Sequence, residues 1–242
     1  MTDLEIYFEN TQKPWGKMFY RLLWEQLSFA KSMDILDFGS GFGITADHLA
    51  KDNAVAAIEP NEKMCEMRFC QNSYRQLTGG LDELYRLDNT NFDLILCHNV
   101  FEYIENEEKE SYFSALCSFL KKGGKLSLVK HNHLGRVMQK AVYENDPAFA
   151  ERLLGGETAY AQNFGEIKYY GIPYLKAMSD KCGMKITERF GIRTFFSLYP
   201  DNAVRYDKTW AESMFALEMK AGNIEEFKNI AFYNHIILEK PL

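Results

Sequence analysis

Three groups of residues in this sequence have types and spacings suited to chemistry. The first is Asp37, Gly39, Gly41 and Gly43, an acid and then three glycines two apart, at the end of the apolar run Ile35-Leu36. Glycine lets a backbone turn tightly and come close to a bound molecule, so this stretch reads as a buried strand feeding a ligand loop. The second is Glu59, which closes the small apolar run Ala54–Ile58. A carboxylate at the tip of a second strand, about 20 residues beyond such a loop, accepts the hydroxyl protons of a ribose. The third is His98 with Asn99, directly after the apolar run Phe92–Cys97. The carboxyl edge of a parallel sheet is where ligands bind, so a histidine there is a candidate contact through its ring or its backbone.

One cofactor is excluded by the spacing. The nicotinamide fingerprint G-x-G-x-x-G needs its third glycine where this chain has Ile44. The elements that must position these residues alternate. A helix from about Met18 to Ala30 leads into strand one at Ile35. A helix over Thr45–Lys51, a strand over Ala54–Ile58 and a helix over Asn61–Asn72 with Met64 and Met67 follow. A short strand at Tyr74–Thr78 and the clearest buried strand of the chain, Phe92–Cys97, come next, then a helix from Glu107 to Lys121 that Gly123-Gly124 stops, and a strand over Lys125–Lys130. Beyond it lie helix-like stretches at 136–144 and 147–154, a helix over Pro173–Cys182, a strand over Lys185–Phe190, a helix over Thr209–Lys220 and a last strand. Strand and helix alternating in this way imply a parallel sheet covered on both faces, an α/β fold.

The run Asp37-x-Gly39-x-Gly41-x-Gly43, the acid Glu59, Phe92-Asp93 leading to Val100-Phe101-Glu102-x-Ile104, and the Gly123-Gly124 turn together resemble the motifs of class I S-adenosylmethionine-dependent methyltransferases over residues 35–130. The resemblance implies a doubly wound, Rossmann-like sheet of seven mostly parallel strands in a single domain over 1–242. Its last strand, Tyr233–Leu238, would be antiparallel, residues 1–33 a leading helical segment, and 131–170 a substrate lid inserted after strand five. The implied cofactor is S-adenosylmethionine, held by Asp37, Gly39, Ser40, Gly41, Gly43 and Glu59, with Leu81 and Asp82 around the adenine. The family usually has Gly-Asp there, and here the acid is displaced by one residue. His98 would border the methionine moiety, and Lys17 or Arg21 would reach its carboxylate, although either cation also suits a solvated helix face. His98, Asn99 and Arg193 are the implied positioning groups of the reaction. No metal is implied.

A narrower resemblance, carried by His98-x-Val100-Phe101-Glu102, Leu126-Ser127-Leu128, Asn132-x-x-Gly135, Gly191-Ile192-Arg193 and Leu217-Glu218, is to bacterial tRNA carboxymethoxyuridine methyltransferases. It implies methyl transfer to an oxygen of an anionic acceptor, with a tRNA wobble uridine as the leading case. No N-P-P-Y motif is present, which argues against nucleobase amino groups as acceptors. Residues 111–143 contain no Asp or Glu but six Lys and Arg, of which Lys130, Arg136 and Lys140 follow strand five at the ligand edge while Lys121, Lys122 and Lys125 precede it. With Arg193 they point to an anionic substrate. A small-molecule acceptor, a cofactor-binding regulatory domain without turnover, and carboxymethyl transfer from a carboxylated cofactor stay open. The formal charge of −6 argues against a generally nucleic-acid-coating surface. Five cysteines without a C-x-x-C pair, an acidic start unlike a signal peptide and the absence of any apolar run of spanning length lead to the expectation of a cytoplasmic protein with reduced thiols and no membrane partner.

Overall fold

The computed structural model describes residues 2–88, 91–161 and 165–242. The chain forms two compact units. The glycine-loop unit takes residues 27–129, 170–188 and 236–242, and the aromatic unit takes 1–26, 130–169 and 189–235.

The apolar runs become strands β1 (Asp34–Phe38), β2 (Ala54–Glu59), β3 (Arg75–Thr78), β4 (Phe92–His98) and β5 (Leu120–His131). After these come the two-residue strands β6 (Tyr160–Ala161) and β7 (Gly165–Glu166), which pair only with each other, then β8 (Lys185–Ile192) and β9 (Tyr233–Glu239). The sheet runs in the order β3-β2-β1-β4-β5-β9-β8, with β9 antiparallel to six parallel strands. Strand β1 pairs in parallel with β2 on one side and β4 on the other. Its central position explains its composition. Ile35 and Leu36 in β1, and Leu94, Ile95 and Leu96 in β4, are completely buried. A strand covered on both faces reads as a continuous apolar run, and each such side chain stabilises the fold by roughly 1.5–3 kcal/mol.

The chain leaves β1 toward β2 and β3, then returns to place β4 on the other side of β1. That reversal opens a crevice at the carboxyl ends of β1 and β4. At the opposite end of these strands Lys121 bridges Asp34 (3.1 Å) and Asp93 (2.9 Å), and Lys125 pairs with Glu239 at 3.0 Å. Lys121 and Lys125, expected before strand five, instead lie within its first half, and these contacts keep them away from the crevice.

Several element boundaries depart from the sequence expectation for identifiable reasons. The leading helix starts at Pro14, whose fixed φ suits the first helical position, and ends at Gln26. It follows an unforeseen helix, Asp3–Gln12, set by a capping box between Thr2 and Glu5. The expected helix over Asn61–Asn72 covers only Glu62–Glu66. Asn61 caps it through the N–H of Met64, but the Phe69 N–H donates to the Phe42 carbonyl and the Tyr74 hydroxyl donates to the Phe69 carbonyl, so the chain turns toward the glycine loop. Gly123-Gly124 does not stop a helix. The helix after β4 ends at Ser118, and β5 runs through the glycines, which exchange hydrogen bonds with Lys240. The expected helices of the 131–170 segment appear as His133–Met138, a π turn over Gln139–Tyr143, and Pro147–Leu154. Residues 162–164 of that segment lie outside the described residues. Later helices cover Ile172–Lys181, Lys208–Ala221 and the unforeseen Glu225–Ile230. The cysteines are free thiols, and no helix among the described residues is long and apolar enough to cross a membrane.

Candidate active site

The glycine loop is shaped by backbone geometry. Gly39, Gly41 and Gly43 have φ of 78°, 55° and 65°, a region that side-chain-bearing residues disfavour. A methyl group on Gly39 would stand 2.4 Å from Cγ2 of Val100, and one on Gly43 would stand 2.1 Å from the Tyr74 hydroxyl. At Gly41 nothing lies within 4 Å, so the open side of the loop is there. The N–H groups of Gly39 and Ser40 both donate to the Ile58 carbonyl (2.8 and 3.1 Å), which ties the loop to the end of β2. Ser40 Oγ lies 3.5 Å from the Gln76 side-chain amide.

Glu59, the last residue of β2, is 6% exposed. Its Oε2 accepts the Gly41 N–H at 2.8 Å and its Oε1 accepts the Asn61 N–H at 2.9 Å. Burial raises its pKa and these two N–H groups oppose the rise. Each carboxylate oxygen keeps a further lone pair, which is the capacity needed for two hydroxyl donors. Behind the loop, Asp37 is buried and takes an N–H from Ala46 in the helix Ile44–Leu49, while burial and the nearby Glu59 charge push its carboxyl up to about 7.

At the end of β4, His98 Nε2 lies 2.8 Å from Ser127 Oγ of β5, and desolvation lowers its pKa to about 3. The imidazole is therefore neutral. Asn99 follows with φ of 53°, its N–H donating to the Val129 carbonyl at 2.7 Å. Its side-chain carbonyl oxygen is buried without a hydrogen-bond partner among the described residues. A left-handed non-glycine residue with an orphaned acceptor at a strand tip is the kind of strain that clusters at functional sites. Leu81 and Asp82 open a short helix, Leu81–Tyr85, just beyond β3. Asp82 is exposed and accepts the Gly80 N–H at 3.1 Å, and this bond holds its carboxyl below the usual range.

The glycine-loop unit thus brings Asp37, Gly39, Ser40, Gly41, Gly43 and Glu59 together at one sheet edge, with His98 and Asn99 at the neighbouring tip of β4 and Leu81 and Asp82 beyond the end of β3. This set is rich in acceptors. It fits a ligand with ribose hydroxyls, an exocyclic amine and a positive centre.

Lys17, Arg21 and Arg193 belong to the aromatic unit. Lys17 is exposed. Arg21 is held by Glu212 through two bonds of 2.6 and 2.7 Å and lies 3.7 Å from the Phe215 ring. Arg136 contacts Glu144 and Gln139, and Lys140 also pairs with Glu144. Arg193, directly after β8, has φ of 62° and is buried against aromatic rings. Glu218, which the sequence marks only as part of the Leu217-Glu218 resemblance and to which it assigns no role, has a carboxylate that accepts the N–H groups of Thr194, Phe195 and Phe196, each at 2.7 Å. Its role is invisible in the sequence because the N–H groups it accepts lie more than 20 residues upstream.

Residues 36–128 match the family model described as a methyltransferase domain. Over 63% of this chain and 70% of the relative, the sequence is 26% identical to an uncharacterized methyltransferase of Anoxybacillus flavithermus. It is 22% identical to the tRNA 5-carboxymethoxyuridine methyltransferase of Escherichia coli, over 93% of this chain and 89% of the relative. The fold is shared with a crystal structure of a SAM-dependent methyltransferase from Archaeoglobus fulgidus, at a TM-score of 0.59 and 15% identity, covering 99% of this chain and all of that one.

Proposed function

We propose that this chain, a class I S-adenosylmethionine-dependent methyltransferase, transfers a methyl group to an oxygen of an anionic acceptor. The observation that carries the cofactor assignment is Glu59, buried at the tip of β2 and bonded to the Gly41 N–H of the one open position in the loop. Asp37, Gly39, Ser40, Gly41 and Gly43 form the cradle, Glu59 takes the ribose hydroxyls, and Leu81 and Asp82 take the adenine. Lys17 or Arg21 supplies the cation for the amino-acid carboxylate, and Lys17 has its ammonium available while Arg21 is paired with Glu212. When bound, S-adenosylmethionine supplies a methyl carbon made electrophilic by the adjacent sulfonium.

The chain's contribution is position, with His98 and Asn99 bordering the reacting groups. A His98 imidazole with a pKa near 3 is too weak a base to deprotonate a hydroxyl at neutral pH. A carboxylate acceptor brings its own lone pair and needs no proton removed. Holding reactants in near-attack geometry is worth about 7–11 kcal/mol, enough to make a base dispensable. Arg193 and Arg136 are the candidate anchors of the acceptor, the segments 1–33 and 131–170 its candidate covering elements, and the cytoplasm the compartment.

A tRNA wobble uridine is the leading acceptor, supported by the name of the Escherichia coli relative. A small carboxylic acid is the second reading, favoured by the engagement of Arg136, Lys140 and Arg152 with Glu144 and Glu157, which leaves few cations for phosphates. Mass spectrometry of the ligand released from purified protein tests the cofactor. S-adenosylmethionine or its demethylated product is expected, and a nicotinamide dinucleotide would refute the assignment. Transfer of labelled methyl into tRNA, compared with transfer into a small-metabolite extract, then separates the two acceptors.

A further inference from the structure

Arg193 is 8% exposed, and its guanidinium carbon lies 5.2 Å from the Phe232 ring, 5.5 Å from Phe196 and 5.8 Å from Tyr233. No described residue forms a hydrogen bond or ion pair with it, and its Nε is buried without an acceptor. Burial lowers its pKa, yet a guanidinium stays protonated in proteins. Its charged neighbours are already occupied. Arg205 donates to the carbonyls of Phe196 (3.0 Å) and Tyr199 (2.7 Å), and the Glu218 carboxylate is taken up by the three N–H groups that directly follow Arg193. Glu218 is the carboxylate that faces Arg193 and Asp201 the one that faces Arg205, yet no described residue accepts a hydrogen bond from the Arg193 guanidinium.

We infer that Arg193, in its box of Phe196, Phe232 and Tyr233, is a receptor for a single carboxylate carried on a flat, apolar group, with Glu218 as its positioning residue. The inference deepens the anionic-acceptor reading and rests on it. A planar guanidinium presents two parallel N–H donors that match a carboxylate. One guanidinium with unfilled donors takes one carboxylate, and a second buried negative charge would have no donors left to meet it. Backbone phosphates are gripped by clusters of cations, whereas Arg136 and Lys140 in this unit are paired with Glu144. The aromatic walls reward a flat ring and exclude the water that a phosphate would retain. Glu218 fixes the turn through three backbone bonds, which holds Arg193 at its left-handed φ without consuming its donors.

The test is the Nε–H spectrum of the full chain carrying 15N-labelled arginine, with the Arg193 resonance assigned by its loss in Arg193→Lys. Titration with benzoate should move that resonance saturably, while benzamide and dimethyl phosphate at equal concentration leave it in place. Glu218→Gln should weaken the benzoate response at least fivefold while the Arg205 Nε–H resonance persists. Absence of a benzoate response, or an equal response to dimethyl phosphate, overturns the receptor. An unchanged benzoate affinity in Glu218→Gln overturns the positioning role, and if that variant does not fold, the wild-type and Arg193→Lys titrations still decide the receptor. Calorimetry with S-adenosylmethionine on the same sample keeps the two claims apart. Cofactor binding without a benzoate response defeats this inference alone, and a benzoate response without cofactor binding defeats the methyltransferase reading instead.

Discussion

The two units hold buried charge in opposite ways. At the glycine loop it is negative: Asp37 and Glu59 sit beneath and beside the loop, and nearby backbone N–H groups satisfy part of their capacity. In the aromatic unit a positive group is left without acceptors: Arg193 sits among rings with no hydrogen-bond partner among the described residues, and the nearby Glu218 gives its oxygens to backbone N–H groups. One unit is built to accept hydrogen bonds and welcome a cation, the other to donate them and welcome an anion. The transfer proposed above, from a cationic methyl donor to an anionic acceptor, would draw on both kinds of site.

The comparison can be broken most severely at Glu59. Replacing it by alanine removes charge-assisted bonds worth about 1.5–3 kcal/mol each, so calorimetry should show S-adenosylmethionine affinity falling at least tenfold. It also strands the Gly41 and Asn61 N–H groups, and urea unfolding should report a loss of roughly 1–3 kcal/mol. Affinity unchanged in that variant would remove β2 from the site.

Gly41→Ala is a gentler cut. Its added methyl meets no protein atom, so folding should lose only the roughly 1–2 kcal/mol of a left-handed alanine. Cofactor affinity should fall by more than folding does, because the methyl occupies the open side of the loop. Equal losses in the two measurements would mean that no ligand approaches there.

Asp37 sharpens the comparison through pH. Its folded pKa, about 7, lies above the unfolded value of 3.8, so between those values the folded state binds the extra proton. Stability contributed by this group is therefore fully present below about pH 4 and is lost as pH rises toward 7. Thermal melts of Asp37→Asn should lack that decline, and a variant with the wild-type slope would show that another group titrates.

The smallest effect is expected at Arg21→Ala. The pair with Glu212 is partly exposed, so its loss should cost about 0.2–1 kcal/mol in denaturant melts. Cofactor affinity should stay within twofold. A tenfold drop would make Arg21 a cofactor contact after all.

How far the sequence revealed these units follows from how each is assembled. The residues of the glycine loop lie within short contiguous stretches, and the spacing of Asp37, Gly39, Gly41 and Gly43 reports local backbone geometry directly. Even there the sequence did not show that Asn99 is left-handed with an orphaned carbonyl, because that depends on its N–H reaching Val129 on the next strand. Nor did it show that β5 continues through Gly123-Gly124, since glycine after a helix ordinarily signals a stop and only the pairing with Lys240 overrides it. The aromatic unit is stitched from three distant segments. The place of Arg193 after a strand marks it in the sequence, but its ring box and the Glu218 clamp join residues that no periodicity connects. The first helix carries no apolar stripe for a related reason: among Asp3–Gln12 only Thr11 is buried.

The central claim is tested most directly by isothermal calorimetry of the full chain against S-adenosylmethionine and, separately, a nicotinamide dinucleotide. One saturable site for S-adenosylmethionine, weakened at least tenfold in Glu59→Ala, and no heat from the dinucleotide are the predicted results. Binding of the dinucleotide alone, or S-adenosylmethionine affinity indifferent to Glu59, would contradict the account.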